Sequence, residues 1–376
     1  MPALTAINRV ADVCDLAPNY IRAIAPYQPG KPIAELAREF GLDATNIIKL
    51  ASNENPLGPS PLAVTAIERA LSDIAHYPDG NGFDLKSALA RRYGVDMAQI
   101  VLGNGSNDVL ELAARVFLGA GCEAIYSQHA FAVYALVTQA TGAAGIETPA
   151  RNFAHDLGAM LKAVTARTRM VFIANPNNPT GTLIASEELF AFLRALPNTV
   201  IAVLDEAYHE YLPADRKGDS ISWLAQFPNL IVTRTFSKAY GLAGLRIGYA
   251  FSHSSIADLM NRVRQPFNVN SIALAAATAA LEDQEFVRRS FDLNQAGMRQ
   301  ISQGLNRLGL DCIPSFGNFI SFRVSHAADV FQRLLRCGVI VRPIASYGMP
   351  DYLRVSIGLE AENMRFFESL EQVLSG

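Results

Sequence analysis

Lys238 stands in the stretch "RTFSKAYGLAGLRIGYA" (234–250), between Ser237 and a run of small residues, with Arg246 eight positions further on. It closes a strand-like run and has little apolar neighbourhood along which to lay its stem, so its ammonium must find water or a partner. Partly buried near other cations, such an amine loses its proton more readily and can condense with an aldehyde. A solvated loop lysine is the plain alternative for any single lysine. The neighbours weigh against it, because the Ser237 hydroxyl and the fixed N–H fork of Arg246 suit a phosphate dianion. Gly241, Gly244 and Gly248 are expected to allow close backbone approach or positive φ. An imine-forming lysine beside two phosphate ligands implies a phosphorylated aldehyde, which points to pyridoxal 5'-phosphate.

That chemistry demands an acid that keeps the pyridine nitrogen protonated, so that the ring can accept electrons. "VLDEAYHEY" offers Asp205 at the end of an apolar run, where a bare carboxylate is costly unless paired; alone, it reads equally as a helix cap or a surface acid. Tyr208 follows three residues later and is placed to donate to the ring oxygen. "ANPNNPTGT" (174–182) follows another apolar run, and its Asn and Pro residues predict a stiff turn with Asn178 available to the same oxygen. An ordinary turn is the competing reading. In "VLGNGSNDVLELAARVF" the N–H groups of Gly105, Ser106 and Asn107 would form an anion nest at a helix start. Asp108 stands where the third glycine of a dinucleotide fingerprint would fall, and by itself the segment reads as an N-cap.

These segments sit at the ends of predicted strands: 99–103, 123–127, 169–175, 199–205, 229–235 and 246–251, with amphipathic helical patterns at 107–118 and 186–196 between them. Near-continuous apolar strands separated by helices predict a mostly parallel sheet covered on both faces. Ligands of such sheets bind outside the carboxyl ends of the strands. A helical region to about residue 309, strand-like runs within 311–324, 338–344 and 352–358, and a last helix over 360–374 predict a second, smaller α/β domain. The stretch "APYQPGKP" (25–32) reads as an arm or linker. The expected division is 1–48 as N-terminal arm and part of the small domain, 49–268 as the large cofactor domain, and 269–376 as the small C-terminal domain.

The 376 residues are 50% hydrophobic and 18% charged, with a net charge of -3. This composition suits a packed globular protein and supplies no basic excess for nucleic acid or anionic membrane. Four cysteines at 14, 122, 312 and 337 have neither metal-ligand spacing nor the density of a disulfide scaffold, so no metal is expected and a reducing cytoplasm is the expected home. The N-terminal twenty residues lack the apolar core of a signal peptide. The apolar run 271–281 is too short to span a bilayer.

"NPNNPTG", "DEAY" and "TFSKAYGLAGLRIGY", in this order, resemble the fold-type I aminotransferases, whose cofactor is pyridoxal 5'-phosphate. With "KLASNENPLGPSP" (49–61), "HYPDG" (76–80), "RVRQPFNVNS" (262–271) and "YLRVSIG" (352–358), the chain is similar to histidinol-phosphate aminotransferases from about Tyr27 onward. The resemblance implies an α/β fold with a mostly parallel seven-stranded sheet in the large domain and a smaller α/β C-terminal domain. It implies that Lys238 is the Schiff-base lysine, Asp205 the pyridinium partner, Asn178 and Tyr208 the ligands of the ring oxygen, and Phe131 a stacking ring. Phosphate would be held by Ser106, Asn107, Ser237 and Arg246, with Tyr77 arriving from the second subunit of a homodimer. Arg342 and Arg354 would take the anionic groups of the substrates, and Tyr27 and Asn53 would line the pocket. Asn107 stands where the family often has Asp, and His129 where proline-containing sequence is common; His129 is expected to serve local structure. The implied reaction joins histidinol phosphate and 2-oxoglutarate to imidazole-acetol phosphate and glutamate in histidine biosynthesis. An aromatic amino-acid aminotransferase, a threonine-phosphate decarboxylase and a non-catalytic regulatory module are the rival readings.

Overall fold

A computed structural model describes residues 12–375. The first eleven residues, which open the expected 1–48 segment, and Gly376, which ends the 269–376 segment, lie outside the described residues.

Seven strands form the central sheet: β1 (Ile100–Gly103), β2 (Glu123–Ser127), β3 (Ala144–Thr148), β4 (Thr168–Ala174), β5 (Ile201–Asp205), β6 (Leu230–Thr235) and β7 (Gly248–Ser252). Their order is β1-β7-β6-β5-β4-β2-β3. All run parallel except β7, which is antiparallel to both of its neighbours. The inner strands are apolar on both faces because helices cover both. In β4, Met170, Phe172 and Ala174 belong to one core, whereas Val171 and Ile173 belong to the other, with the strict alternation of a pleated strand. One face is covered by the helices Ser106–Phe117, Ala132–Ala140 and Ser254–Val263; the other by Phe83–Tyr93, Ser186–Ala195 and Ser271–Glu282.

Three further strands, β8 (Phe319–Arg323), β9 (Arg342–Pro343) and β10 (Tyr352–Ser356), make an antiparallel sheet in the order β8-β10-β9. It packs with the helices Gln284–Arg307, Ala327–Arg336 and Glu360–Ser375 around Phe322, Val355 and Phe366. Ile48–Lys49 pairs in parallel with Val339–Ile340, and Leu36 of the helix Ile33–Phe40 is buried against Leu335 and Ile340. The N-terminal segment therefore packs with the C-terminal lobe. The helix Ser271–Glu282, which the division at residue 268 assigns to the small domain, instead buries Ala273, Ala276, Ala277 and Leu281 in the core of the large sheet. Its small side chains allow close helix packing there, and the change of lobe falls in the long helix that follows. Among the described residues no helix is long and apolar enough to cross a membrane, and no cluster of potential metal ligands occurs.

Candidate active site

The parallel strands end at one edge, and the segments that leave them line a single pocket with the arm residues Tyr27 and Gly30. Asp205 is the last residue of β5, in register with Ala174 of β4 and Thr233 of β6. Ser237 and Lys238 follow β6, Asn178 follows β4, Phe131 follows β2, and Ser106 and Asn107 follow β1. The reversed strand β7 begins at this edge, with Gly248 opposite both Gly103 and Thr235, so Arg246 arrives beside the ends of β1 and β6. One antiparallel strand thereby brings residues 106, 237 and 246 together.

The Lys238 amine donates to the Ser52 carbonyl at 3.1 Å and lies 5.8 Å from the centre of the Tyr208 ring. Burial, and after it the Arg354 cation, pushes its pKa from 10.5 down to about 7. Asp205 is buried, which raises its pKa, against the hydrogen bond from the Tyr134 hydroxyl to Oδ2 at 2.9 Å and the Ala207 N–H to Oδ1 at 3.2 Å. A cationic ring N–H bound opposite such a carboxyl would hold it ionised. Burial pushes the Tyr208 hydroxyl up to about 12, so it stays a hydrogen-bond donor at neutral pH.

The phosphate cradle rests on close backbone approach. Gly105, at φ 82, caps the helix Ser106–Phe117, and a Cβ there would lie 2.4 Å from Arg246 Nη2. A Cβ on Gly248 would lie 2.3 Å from the Ser106 nitrogen. Gly244, by contrast, has open space where a Cβ would be and no positive φ, so the close approach or positive φ expected of the three glycines holds for Gly241 and Gly248 and not for Gly244. Arg246 donates to Ser237 Oγ at 3.4 Å and to the Ala243 carbonyl, and among the described residues it pairs with no carboxylate. Helix N–H groups, a serine hydroxyl and an uncompensated guanidinium form a donor set that fits a phosphate.

Arg342 and Arg354 are direct cross-strand partners on β9 and β10. Like charges opposite each other on a sheet are unfavourable unless an anion is shared between them. Arg354 donates Nη1 to Asn178 Oδ1 at 2.6 Å and Nη2 to the Ala51 carbonyl at 2.7 Å, and its buried Nε has no partner among the described residues. Arg342 lies over the Tyr27 ring at 5.6 Å and donates to the Gln28 carbonyl, which ties the arm to the pocket. Asn178 gives its oxygen to Arg354 and keeps its NH2 as the donor for a ligand oxygen.

Asn53 lines the pocket, but its amide oxygen is taken by Ser356 and one N–H by Tyr208. Tyr77 does not line this pocket: it is 83% exposed and stacks on Phe267 with ring centres 4.7 Å apart. His129 does not line the pocket; its Nδ1 bonds the Tyr347 carbonyl, and its own carbonyl accepts from Asn177. Tyr134 and Tyr347 are pocket residues that sequence reading passed over. Tyr134 had a signal, lying three residues after Phe131 on one helical face; Tyr347 had none.

The chemistry of this donor set fits pyridoxal phosphate: an amine of lowered pKa, a buried acid across the pocket and an anion cradle between strand ends. Such a site on a seven-stranded, mostly parallel sheet is that of the fold-type I pyridoxal-phosphate enzymes. Residues 45–369 match the family Aminotransferase class I and II, and the chain belongs to it. It is 66% identical over 360 residues to the histidinol-phosphate aminotransferase of Methylobacillus flagellatus, covering 96% of this chain and 98% of that one. It is 64% identical to histidinol-phosphate aminotransferase 2 of Nitrosospira multiformis, covering 96% and 92%. Its structure superposes with a TM-score of 0.88 and 31% identity on the crystal structure of histidinol-phosphate aminotransferase from Sinorhizobium meliloti in complex with pyridoxal-5'-phosphate, covering 99% of each chain.

Proposed function

We propose that the chain transfers an amino group between histidinol phosphate and 2-oxoglutarate, using pyridoxal 5'-phosphate. The near-full-length likeness to relatives of that name supports the substrate pair. The observation that carries the chemistry is a single pocket lined by the Lys238 amine, the Asp205 carboxyl and the anion cradle of Ser106, Asn107, Ser237 and Arg246.

When bound, the cofactor supplies an electron sink for the bond broken at the substrate α carbon. Ser106, Asn107, Ser237 and Arg246 would hold its phosphate, Lys238 its carbonyl carbon, and Asp205 its ring nitrogen. Tyr208 and Asn178 would donate to the ring oxygen, and Phe131 would pack on the ring. An amine whose pKa burial lowers this far gives up its proton readily near neutral pH, so Lys238, once released, can take the proton from the substrate α carbon. Arg354, joined to Asn178, orients a carboxylate of glutamate. Arg342 and Tyr27, on the open side, receive the anionic far end of either substrate.

The exposed Tyr77 and Phe267 fit a second copy of this chain, each giving Tyr77 to the other's phosphate cradle in a cytoplasmic homodimer. Assays of the purified protein with histidinol phosphate, phenylalanine and threonine phosphate, each with and without 2-oxoglutarate, test the substrate. Turnover of histidinol phosphate that requires 2-oxoglutarate is expected. Turnover of phenylalanine alone, or carbon dioxide released from threonine phosphate without a keto acid, would replace this reading.

A further inference from the structure

Ser356, on β10 of the C-terminal lobe, accepts the backbone N–H of Asn53 at 2.8 Å and donates its hydroxyl to Asn53 Oδ1 at 3.0 Å. With the single hydroxyl proton given to Oδ1, the Asn53 amide faces Ser356 with its oxygen and turns its NH2 away. That NH2 donates to the Tyr208 hydroxyl oxygen at 2.9 Å. Asn53 is further fixed by the Asn318 amide, which donates to its carbonyl at 3.0 Å, and it is held at φ 55. A non-glycine residue keeps that backbone only where its surroundings impose it.

The consequence falls on Tyr208. Its oxygen already accepts from Asn53, and its own O–H donates to no other described residue, while the side chain lines the pocket. With one direction filled by the amide, the proton is left to point at a ligand. All four residues, Ser356, Asn53, Asn318 and Tyr208, are buried, so water does not compete for these bonds. Arg354 lies two residues before Ser356, on the same face of β10.

We propose that Ser356 and Asn53 are positioning residues that set the direction of the Tyr208 hydroxyl proton, so that the strand carrying Arg354 also governs the hydrogen bond given to the cofactor's ring oxygen. This rests on the assignment of Lys238 and Tyr208 made under Proposed function. A hydrogen bond donated to that oxygen lowers the proton affinity of the lysine nitrogen beside it, and losing it raises the pH midpoint of the bound cofactor's absorbance.

The test is a pH titration of that absorbance in holoenzyme variants. Tyr208→Phe raises the midpoint, and Asn53→Ala and Ser356→Ala raise it in the same direction by roughly half a unit or more, the size of one hydrogen bond. Ser356→Thr, which keeps the hydroxyl, restores the wild-type midpoint. In the Tyr208→Phe background Asn53→Ala adds nothing, because Asn53 acts through the phenol. An equal shift from Asn53→Ala in both backgrounds, or a wild-type midpoint in folded Ser356→Ala, would overturn the proposal. If Asn53→Ala does not fold, Ser356→Ala against Ser356→Thr decides. A wild-type enzyme whose absorbance is insensitive to pH and to Lys238→Ala would instead overturn the lysine assignment, and this inference with it.

Discussion

The Tyr134 hydroxyl donates to Oδ2 of Asp205 at 2.9 Å, and its ring stacks on Phe172 with centres 4.8 Å apart and planes 7° from parallel. The phenol is fully buried, so the bond is made in a dry environment where a charge-assisted hydrogen bond is strong. It holds Oδ2, while Oδ1 accepts the Ala207 N–H at 3.2 Å. Tyr134→Phe keeps the stacking and removes the bond. Cofactor affinity should fall about tenfold, as expected for one hydrogen bond to a charged group. Fluorescence titration of cofactor-free protein measures this, and an unchanged dissociation constant would show that Asp205 is oriented by the backbone alone.

Asp205→Ala removes the acid itself. The phosphate cradle is untouched, so the variant should still take up cofactor, more weakly, while its transamination rate drops by orders of magnitude because the ring nitrogen loses its proton partner. Single-turnover kinetics with glutamate is the check; a rate within tenfold of wild type would deny Asp205 this role.

Arg354 makes two hydrogen bonds to the pocket wall and presents its buried Nε with no partner among the described residues. Arg354→Lys leaves a charge but loses the planar fork. The KM for glutamate should rise roughly tenfold or more, with little change in the resting absorbance. A KM left unchanged would place the glutamate carboxylate elsewhere.

The Lys238 shift has a consequence for stability as well as catalysis. Unfolded, the amine titrates at its ordinary 10.5; folded, at about 7. Between these values the unfolded chain binds the extra proton, so the cofactor-free protein gains stability as pH rises through this window and loses it as pH falls. Lys238→Met lacks the titrating amine and should show a smaller rise in melting temperature over the same range. Parallel curves for the two cofactor-free proteins would contradict a depressed pKa.

Much of this arrangement was legible because strand ends carry their chemistry next to apolar runs. Strand β2 and the Ser186–Ala195 helix fall within a residue of their sequence patterns; Asp205 ends one buried strand, and Lys238 and Asn178 follow two others. Strand β3, "AGIET", was not legible: it is an edge strand with three of its five residues exposed and so has no apolar run to mark it. The helix Ser271–Glu282 was read as a helix but given to the other lobe, since alanine repeats reveal burial without revealing the partner. Asn53 was read as a pocket residue, yet its bonds to Ser356 and Tyr208 join positions 303 and 155 residues away, a pairing that only the fold creates.

The central claim is a covalent bond between pyridoxal phosphate and one amine. Borohydride reduction of the holoenzyme, digestion and mass analysis of the peptides measure it directly. The cofactor mass should sit on the peptide containing Lys238 and vanish in Lys238→Ala. Label on another lysine, or none on a protein that still transaminates, would contradict it.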